Sequence, residues 1–298
     1  MHQECELSII TINYNGLRDT CALIETIPFN DKMEVIVVDN ASNHDEATEI
    51  EHKFPYVTVI RNDKNLGYAG GNNIGIKAAH GRYLFVINND TVFKDFNIQI
   101  LIDRLESSPK IGIVCPKIRF TWGISPIQYA GYTPLSIITV RNRAIGFGEE
   151  DKGQYEVAHP TPYAHGAAMI IKREALEKVG LMPECYFLYY EELDWSMMFT
   201  RIGYQIWYEP KCTIYHKESQ ATGQNSPLRT YYITRNRLLL VKRNYQGIYK
   251  MLSYMYLIGI AASKDIVKYT FHGKPRLSIS ILRGLYDFIF RNNYLTSN

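Results

Sequence analysis

Short apolar, β-branched runs recur through the first part of the chain, at Leu7 to Ile12, Met33 to Val38, Val57 to Arg61, Tyr83 to Asn88 and Ile111 to Lys117. Each is bounded by polar or turn-forming residues, as expected of strands buried on both faces. Between them Arg18 to Ile27, Asp45 to Lys53, Gly71 to Ala79 and Phe96 to Glu106 are assigned to helices. Alternation of strand and helix at this spacing predicts an α/β fold, with a Rossmann-like, mostly parallel central sheet flanked by helices.

The later pattern is less regular. Glycines 123, 131, 146, 148 and 153 break any period between Thr121 and His159, which predicts loops and short strands. A strand resumes after His165-Gly166-Ala167, and Arg173 to Val179 reads as a helix closed by Gly180. The segment Tyr186 to Trp195 leads into another helix that runs through Arg201 and is ended by Gly203, and strands follow at Ile206 to Glu209 and Cys212 to Tyr215. Arg229 to Asn244 is a basic amphipathic helix. Ile248 to Ser263 is apolar, but Lys250 interrupts it and it falls short of the ~20 residues that span a bilayer. It reads as a packing or interfacial helix. The expected organisation is one domain over residues 1–245 and a C-terminal helical extension over 246–298.

Composition adds little. With 46% apolar and 21% charged residues the chain is ordinary for a globular protein. A net charge of +3 in 298 residues is too weak a basic balance for a nucleic-acid binder. Five scattered cysteines without C-x-x-C spacing suggest neither disulfides nor zinc, only reduced thiols. The first residues, Met1 to Glu6, lack the basic segment and apolar core of a signal peptide, so the expected location is the cytoplasm.

Candidate chemistry collects at strand ends. In doubly wound sheets ligands bind outside the carboxyl ends of the strands, where Asn13, Asp39, Asn65 and Asp90 all fall. Each alone is an ordinary cap or turn residue; the alignment of four points to a site. The run Asn65-Leu-Gly-Tyr-Ala-Gly-Gly-Asn-Asn-Ile-Gly75 reads as a turn whose glycines let the backbone approach a nucleotide. Asp90, closing Asn88-Asn89-Asp90, offers the oxygen donor that a hard divalent cation prefers.

That run resembles a family 2 glycosyltransferase of the GT-A fold, in the branch with rhamnosyltransferases and galactofuranosyltransferases. The resemblance extends over roughly residues 7 to 245. It implies that Asp39 accepts a hydrogen bond from the pyrimidine of the donor, in a pocket lined by Asn13 and Tyr14, since a uracil or thymine N–H suits a carboxylate. Asn65, Gly70, Gly71 and Asn73 would close on the donor beside it. Asn88-Asn89-Asp90 stands where the family carries Asp-x-Asp, with an amide replacing the first acid. The resemblance therefore gives Mg²⁺ or Mn²⁺ to Asp90 with His216.

In Glu191-Glu192-Leu193-Asp194 the second acid, Glu192, takes the place of the general base, with Asp194 as fallback and Glu191 on acceptor hydroxyls. Tyr186 to Tyr190 and Trp195 would stack on sugar rings. Arg235, Asn236 and Arg237 would meet a diphosphate or anionic carrier. With Lys242, Arg243 and the 248–263 run they would make peripheral contact with the inner face of the membrane. The implied activity is inverting transfer of a sugar, rhamnose first, from a dTDP or UDP donor to a glycan or lipid-linked glycan in bacterial surface polysaccharide synthesis. A non-catalytic nucleotide-sugar or glycan binder and a nucleotidyltransferase are the alternatives.

Overall fold

The computed structural model describes residues 5–94, 96–218 and 226–291; residues 1–4, on which the absence of a signal peptide partly rests, lie outside them. Among the described residues ten strands form one sheet: β1 (Leu7–Asn13), β2 (Met33–Asp39), β3 (Val57–Arg61), β4 (Tyr83–Ile87), β5 (Thr91–Phe93), β6 (Ile111–Phe120), β7 (Ile127–Tyr129), β8 (His159–Thr161), β9 (Ala168–Lys172) and β10 (Gln205–His216). The order is β3-β2-β1-β4-β9-β6-β10-β5, with β7 on β6 and β8 on β10. Strands β3, β2, β1, β4, β6 and β10 point the same way, and β9 runs against its neighbours β4 and β6. The carboxyl ends of the parallel strands therefore share one edge.

The apolar runs are strands because both faces are covered. Val35, Ile36, Val37 and Val38 of β2 are all essentially inaccessible; α1 (Leu17–Thr26) packs on β1, α2 (Glu46–Lys53) on β3, α3 (Gly67–Ala78) on β1 and β2, and α4 (Ile98–Glu106) on β6, β9 and β10. Helices α5 (Arg173–Val179) and α6 (Glu191–Arg201) follow β9, with a short 3₁₀ turn at Glu184–Tyr186 between them.

Three boundaries depart from expectation. The two strands expected between 206 and 215 are the single β10, whose register against β6 shifts between Glu209 and Thr213, beside Pro210. Proline has no N–H for the ladder, so the strand bulges there and continues. The glycine-rich run is mostly helix: α3 starts at Gly67, not Gly71. The helix expected to end at Ser263 continues from α8 (Gly247–Tyr254) through a π-helical stretch, Met255–Ala262, into α9 (Ser263–Phe271).

Helix α10 (Pro275–Phe290) returns antiparallel to this segment and packs along α7 (Pro227–Asn244). Leu238 to Val241 of α7 join Tyr186, Leu193, Leu135 and Leu257 in a second apolar cluster, with Leu285 and Phe288 against it. The C-terminal helices thus share a core with the acidic segment.

Candidate active site

At the β1 and β2 ends, Asn13 and Asp39 are register partners and form the centre of a buried network. Asn13 Nδ2 donates to Asp39 Oδ1 at 2.8 Å and to Glu46 Oε2 at 2.7 Å, while its Oδ1 accepts from Thr20 Oγ1 at 2.7 Å. Asp39 also accepts from the Ser42 hydroxyl at 2.6 Å and the Ser42 N–H at 3.1 Å. Asp39 therefore closes a local turn; the N-cap of α2 is Asp45. Asn13 spends both amide hydrogens within this network and supports Asp39, whereas Tyr14 is 46% exposed beside it.

Asn40, which sequence reasoning passed over, ties the neighbouring turn together. Its amide donates to Asn65 Oδ1 and Gly67 O and accepts from Asn62 Nδ2 and Leu66 N, all within 3.0–3.1 Å. Asn65 is thereby a turn residue, also accepting from Gly67 N at 2.8 Å.

Gly70 joins Gly71 and Asn73 inside α3, which begins four residues before the expected start. A methyl group on Gly71 would come within 2.8 Å of Ile12 Cδ1, and one on Gly75 within 2.5 Å of Ile10 Cγ2, so these glycines let helix and sheet approach closely. On Gly70 it would strike Leu66 Cβ at 2.7 Å. Only Gly67 needs its backbone freedom, with φ of +73° and Phe187 O 2.1 Å from a built Cβ. Asn73 is buried and clamps α3 to the segment before α6: its Nδ2 donates to Met182 O and Glu184 Oε1, and its Oδ1 accepts from Met182 N. Its amide is saturated without a nucleotide.

The β4, β5 and β10 ends meet at Asp90. Pairing of Thr91 with His216 sets the carboxylate against the imidazole, with Asp90 Oδ1 3.0 Å from His216 Nε2. Both residues are buried. His216 Nδ1 donates to Gln128 Oε1 at 2.8 Å, so in the neutral imidazole the lone pair is on Nε2 and faces a carboxylate oxygen. At this distance Nε2 either carries a proton to the carboxylate or shares a cation with it. Asp90 Oδ2 is buried without any hydrogen-bond partner. An orphaned carboxylate oxygen beside an imidazole nitrogen fits Mg²⁺ or Mn²⁺, the nitrogen favouring Mn²⁺. Among the described residues no cluster of three or more His, Cys, Asp or Glu is arranged to hold a metal, so this pair needs further oxygens from a ligand.

Asn88 and Asn89 take different parts. Asn88 Nδ2 lies 3.4 Å from His216 Nε2, presenting an amide N–H rather than a charge. Asn89 turns away and donates to Thr20 Oγ1 at 2.9 Å, which links the Asp90 loop to the Asn13–Asp39 network.

The acids open α6. Phe187, Tyr189 and Tyr190 all have positive φ, of 67°, 68° and 78°, strained values for aromatic side chains. Helix α7 holds this loop: Asn236 Nδ2 donates to the carbonyls of Tyr186, Leu188 and Tyr189, and Arg235 to those of Cys185 and Tyr186. Arg235, Asn236 and Arg237 are buried. Three carbonyls converging on one amide are what fix the backbone ahead of Glu191.

Burial pushes Glu192 up to about 7, a value suited to a base at neutral pH. Glu191 is 3% exposed, its Oε2 has no partner, and burial together with Glu192 drives it well above the carboxylate range. Two adjacent carboxyls cannot both ionise in a dry site, so the deeper Glu191 keeps its proton.

Asp194 is engaged on both oxygens. It accepts from Tyr186 OH at 2.9 Å, Asn244 Nδ2 at 2.7 Å and Arg243 Nε, locking α6 to α7. Trp195 and Tyr186 are likewise core rather than sugar platforms, both essentially inaccessible.

The acidic and metal ends meet across residues 165–167. Asn88 N donates to Ala167 O at 2.9 Å, and the adjacent Gly166 is close enough to Glu192 that an added Cβ would sit 3.8 Å from its Cγ. Tyr68, whose hydroxyl donates to Gly166 O, and Tyr132 both feel the Glu192 charge. His165, stacked 5.8 Å from Tyr132, is held neutral by burial and by His216, with its pKa lowered to about 3.

The model of glycosyl transferase family 2 matches residues 8–180. The chain belongs to that family. It is similar to the low-salt glycan biosynthesis hexosyltransferase Agl10 of Haloferax volcanii, with 27% identity over 277 residues, covering 90% of this chain and 86% of the relative. An N-acetylglucosaminyl-diphospho-decaprenol L-rhamnosyltransferase of Mycobacterium tuberculosis is 23% identical over 214 residues, covering 65% of this chain and 69% of that one.

Among solved structures, the Pyrobaculum calidifontis mannosyltransferase PcManGT, in complex with GDP-Man and Mn²⁺, superposes with a TM-score of 0.57 at 13% identity over 96% of this chain and 88% of that one. GalNAc-T7 with UDP, GalNAc and Mn²⁺ gives 0.60 at 15%, over 90% of this chain and 59% of that one. The fold of this family 2 glycosyltransferase is thus GT-A, with added C-terminal helices.

Sequence reasoning missed Thr20, Asn40 and Gln128 in this glycosyltransferase. Asn40 was marked by its position after Asp39. Gln128 carried no signal, because it arrives from the irregular region only through pairing of β7 with β6.

Proposed function

We propose that the protein is an inverting hexosyltransferase using a nucleoside diphosphate sugar, with dTDP or UDP as carrier and rhamnose as first candidate, and a glycan or lipid-linked glycan acceptor. The observation that carries this reading is that Asn88, which opens the loop carrying the Asp90–His216 pair, and Glu192 approach adjacent residues of one short segment, Ala167 and Gly166. The named mycobacterial rhamnosyltransferase supports the sugar and a lipid-linked acceptor; the named Mn²⁺ complexes support the metal.

In this reading Asp39, with Asn13 behind it and Tyr14 beside it, receives the pyrimidine. Asp90 and His216 hold Mg²⁺ or Mn²⁺, which when bound neutralises charge growing on the departing nucleoside diphosphate. Glu192 takes the proton from the acceptor hydroxyl, a contribution of ~10²–10⁴-fold. Glu191, protonated, donates to an acceptor oxygen. A base on the acceptor face opposite the leaving group gives inversion in one displacement, with no enzyme nucleophile.

The C-terminal helices are proposed to rest on a membrane surface. Ile260, Phe271, Leu282 and Phe290 are exposed there, and Lys250, Lys264, Lys268, Lys274, Arg276 and Arg283 accompany them against the acids Asp265 and Asp287. No helix among the described residues is long and apolar enough to cross a membrane.

The test is nucleoside diphosphate release from a panel of dTDP, UDP and GDP sugars, with and without Mn²⁺. Metal-dependent release with one pyrimidine donor, abolished in Asp90→Ala, supports the reading. Nucleotide-sugar binding without turnover on any donor would favour the non-catalytic binder, for which Asn88 in place of an acid speaks.

A further inference from the structure

His165 lies in the turn between the two halves of the site. The turn closes through Ala168 N, which donates to His165 O at 3.2 Å. Within it Ala167 O accepts from Asn88 N, on the loop that carries Asp90, and a Cβ on Gly166 would stand 3.8 Å from Glu192 Cγ. The imidazole is held on two sides. Its Nδ1 accepts from Ala167 N at 3.1 Å, and the ring is 5° from parallel to Tyr132, with centroids 5.8 Å apart. Accepting a backbone N–H leaves Nδ1 without a proton, so the neutral ring carries its hydrogen on Nε2. Neutral His216 has the opposite tautomer, since its Nδ1 donates to Gln128 and its Nε2 keeps the lone pair. One histidine can hold a cation; the other offers an N–H to an oxygen.

Among the described residues that N–H meets no acceptor, and the Tyr132 hydroxyl makes no hydrogen bond either. Both residues are half-buried, where an unused donor is costly unless water or a ligand takes it. The position says which oxygen fits. In-line displacement stands the reacting carbon between the leaving oxygen, at the metal, and the incoming hydroxyl, at Glu192, so the transferred ring lies along residues 165–167. The diphosphate has the metal for its charge, and an uncharged donor suits a hydroxyl. We propose that His165 Nε2–H donates to a hydroxyl oxygen of the transferred sugar and, braced by Tyr132, selects among donor sugars. A donor built to meet one hydroxyl discriminates against a sugar that lacks it. The proposal rests on the transferase reading for the word transferred, and its test needs neither turnover nor acceptor.

Full-length protein with Mn²⁺ is titrated by calorimetry with dTDP-rhamnose, UDP-glucose and UDP-galactose, each beside bare dTDP or UDP. In the parent, one sugar should bind more tightly than its bare nucleotide. His165→Ala should weaken that nucleotide sugar about five- to tenfold and leave the bare nucleotide within about twofold. His165→Gln, which restores an N–H donor, should recover most of the loss, and Tyr132→Phe, which keeps the ring stack, should lose little. Among monodeoxy forms of the same donor, one should bind parent and His165→Ala alike, because it lacks the hydroxyl concerned. Should His165→Ala fail to fold, His165→Phe gives the same readings, since it keeps a ring against Tyr132 and has no N–H. Equal weakening of nucleotide sugar and bare nucleotide would make His165 a diphosphate contact or a prop for the metal loop and overturn the proposal. Unchanged sugar binding in His165→Ala, or a parent that gains nothing from any sugar, would overturn it as well. Sugar binding that depends on His165 without turnover on any donor would instead fault the transferase reading and leave this contact standing.

Discussion

Glu192 and Asp194 lie two positions apart on one helix and have opposite lives. Glu192 is raised to about 7 because it is buried without a cation, whereas Asp194 has Arg243 and two neutral donors on it. Glu192→Gln should therefore lower kcat by ~10²–10⁴-fold with the donor KM little changed. In the unaltered protein kcat/KM should rise through about pH 7, the limb that the variant loses. Asp194→Asn should leave that limb in place and lower the melting temperature instead, by weakening a buried charge pair; a lost limb would make Asp194 the base.

Linkage gives a second reading of Glu192. Its ordinary pKa of 4.5 is raised on folding, so the folded state holds a proton that the unfolded chain gives up. Stability from this group is complete below about 4.5 and is lost as pH rises to about 7. Thermal melts of Glu192→Gln should accordingly exceed those of the parent above pH 7 and match them near pH 4.

At the scale of elements, the glycine-rich run shows how one pattern supports two roles. Its glycines look like a phosphate loop, but Gly71 and Gly75 sit where α3 crosses Ile12, Ile10 and Val38. Gly75→Ala should cost ~1–3 kcal/mol, read as a lower melting temperature, because a methyl pushed into a packed helix–sheet contact displaces side chains anchored on strands. A changed donor KM at unchanged stability would return Gly75 to the nucleotide. Helix α7 is a second case. Its Arg-Asn-Arg segment reads as a basic face, yet Asn236 spends its amide on three carbonyls of the strained loop that presents Glu191 and Glu192. Asn236→Ala should lower both stability and kcat.

For the whole molecule, the proposed metal role of Asp90 and His216 implies coupled binding. A lone carboxylate and imidazole cannot complete a coordination shell, so cation and nucleotide should bind together. Mn²⁺ with UDP or dTDP should raise the melting temperature more than the sum of either alone, as mass action on the folded state requires. His216→Ala should erase the excess; its persistence would move the metal elsewhere.

The parallel sheet, its apolar strands and the polar residues at their ends were legible in the chain, since a strand covered on both faces must be continuously apolar and its ligands must stand just beyond it. Those are local demands on consecutive residues. Which acid is free, which asparagine is saturated, and whether an arginine faces water or a carbonyl depend on partners ~50–130 residues distant, brought near by strand order and helix packing. Only the tertiary structure could pair Asp90 with His216, consume Asp194 on α7, and leave Glu192 half-buried without a cation.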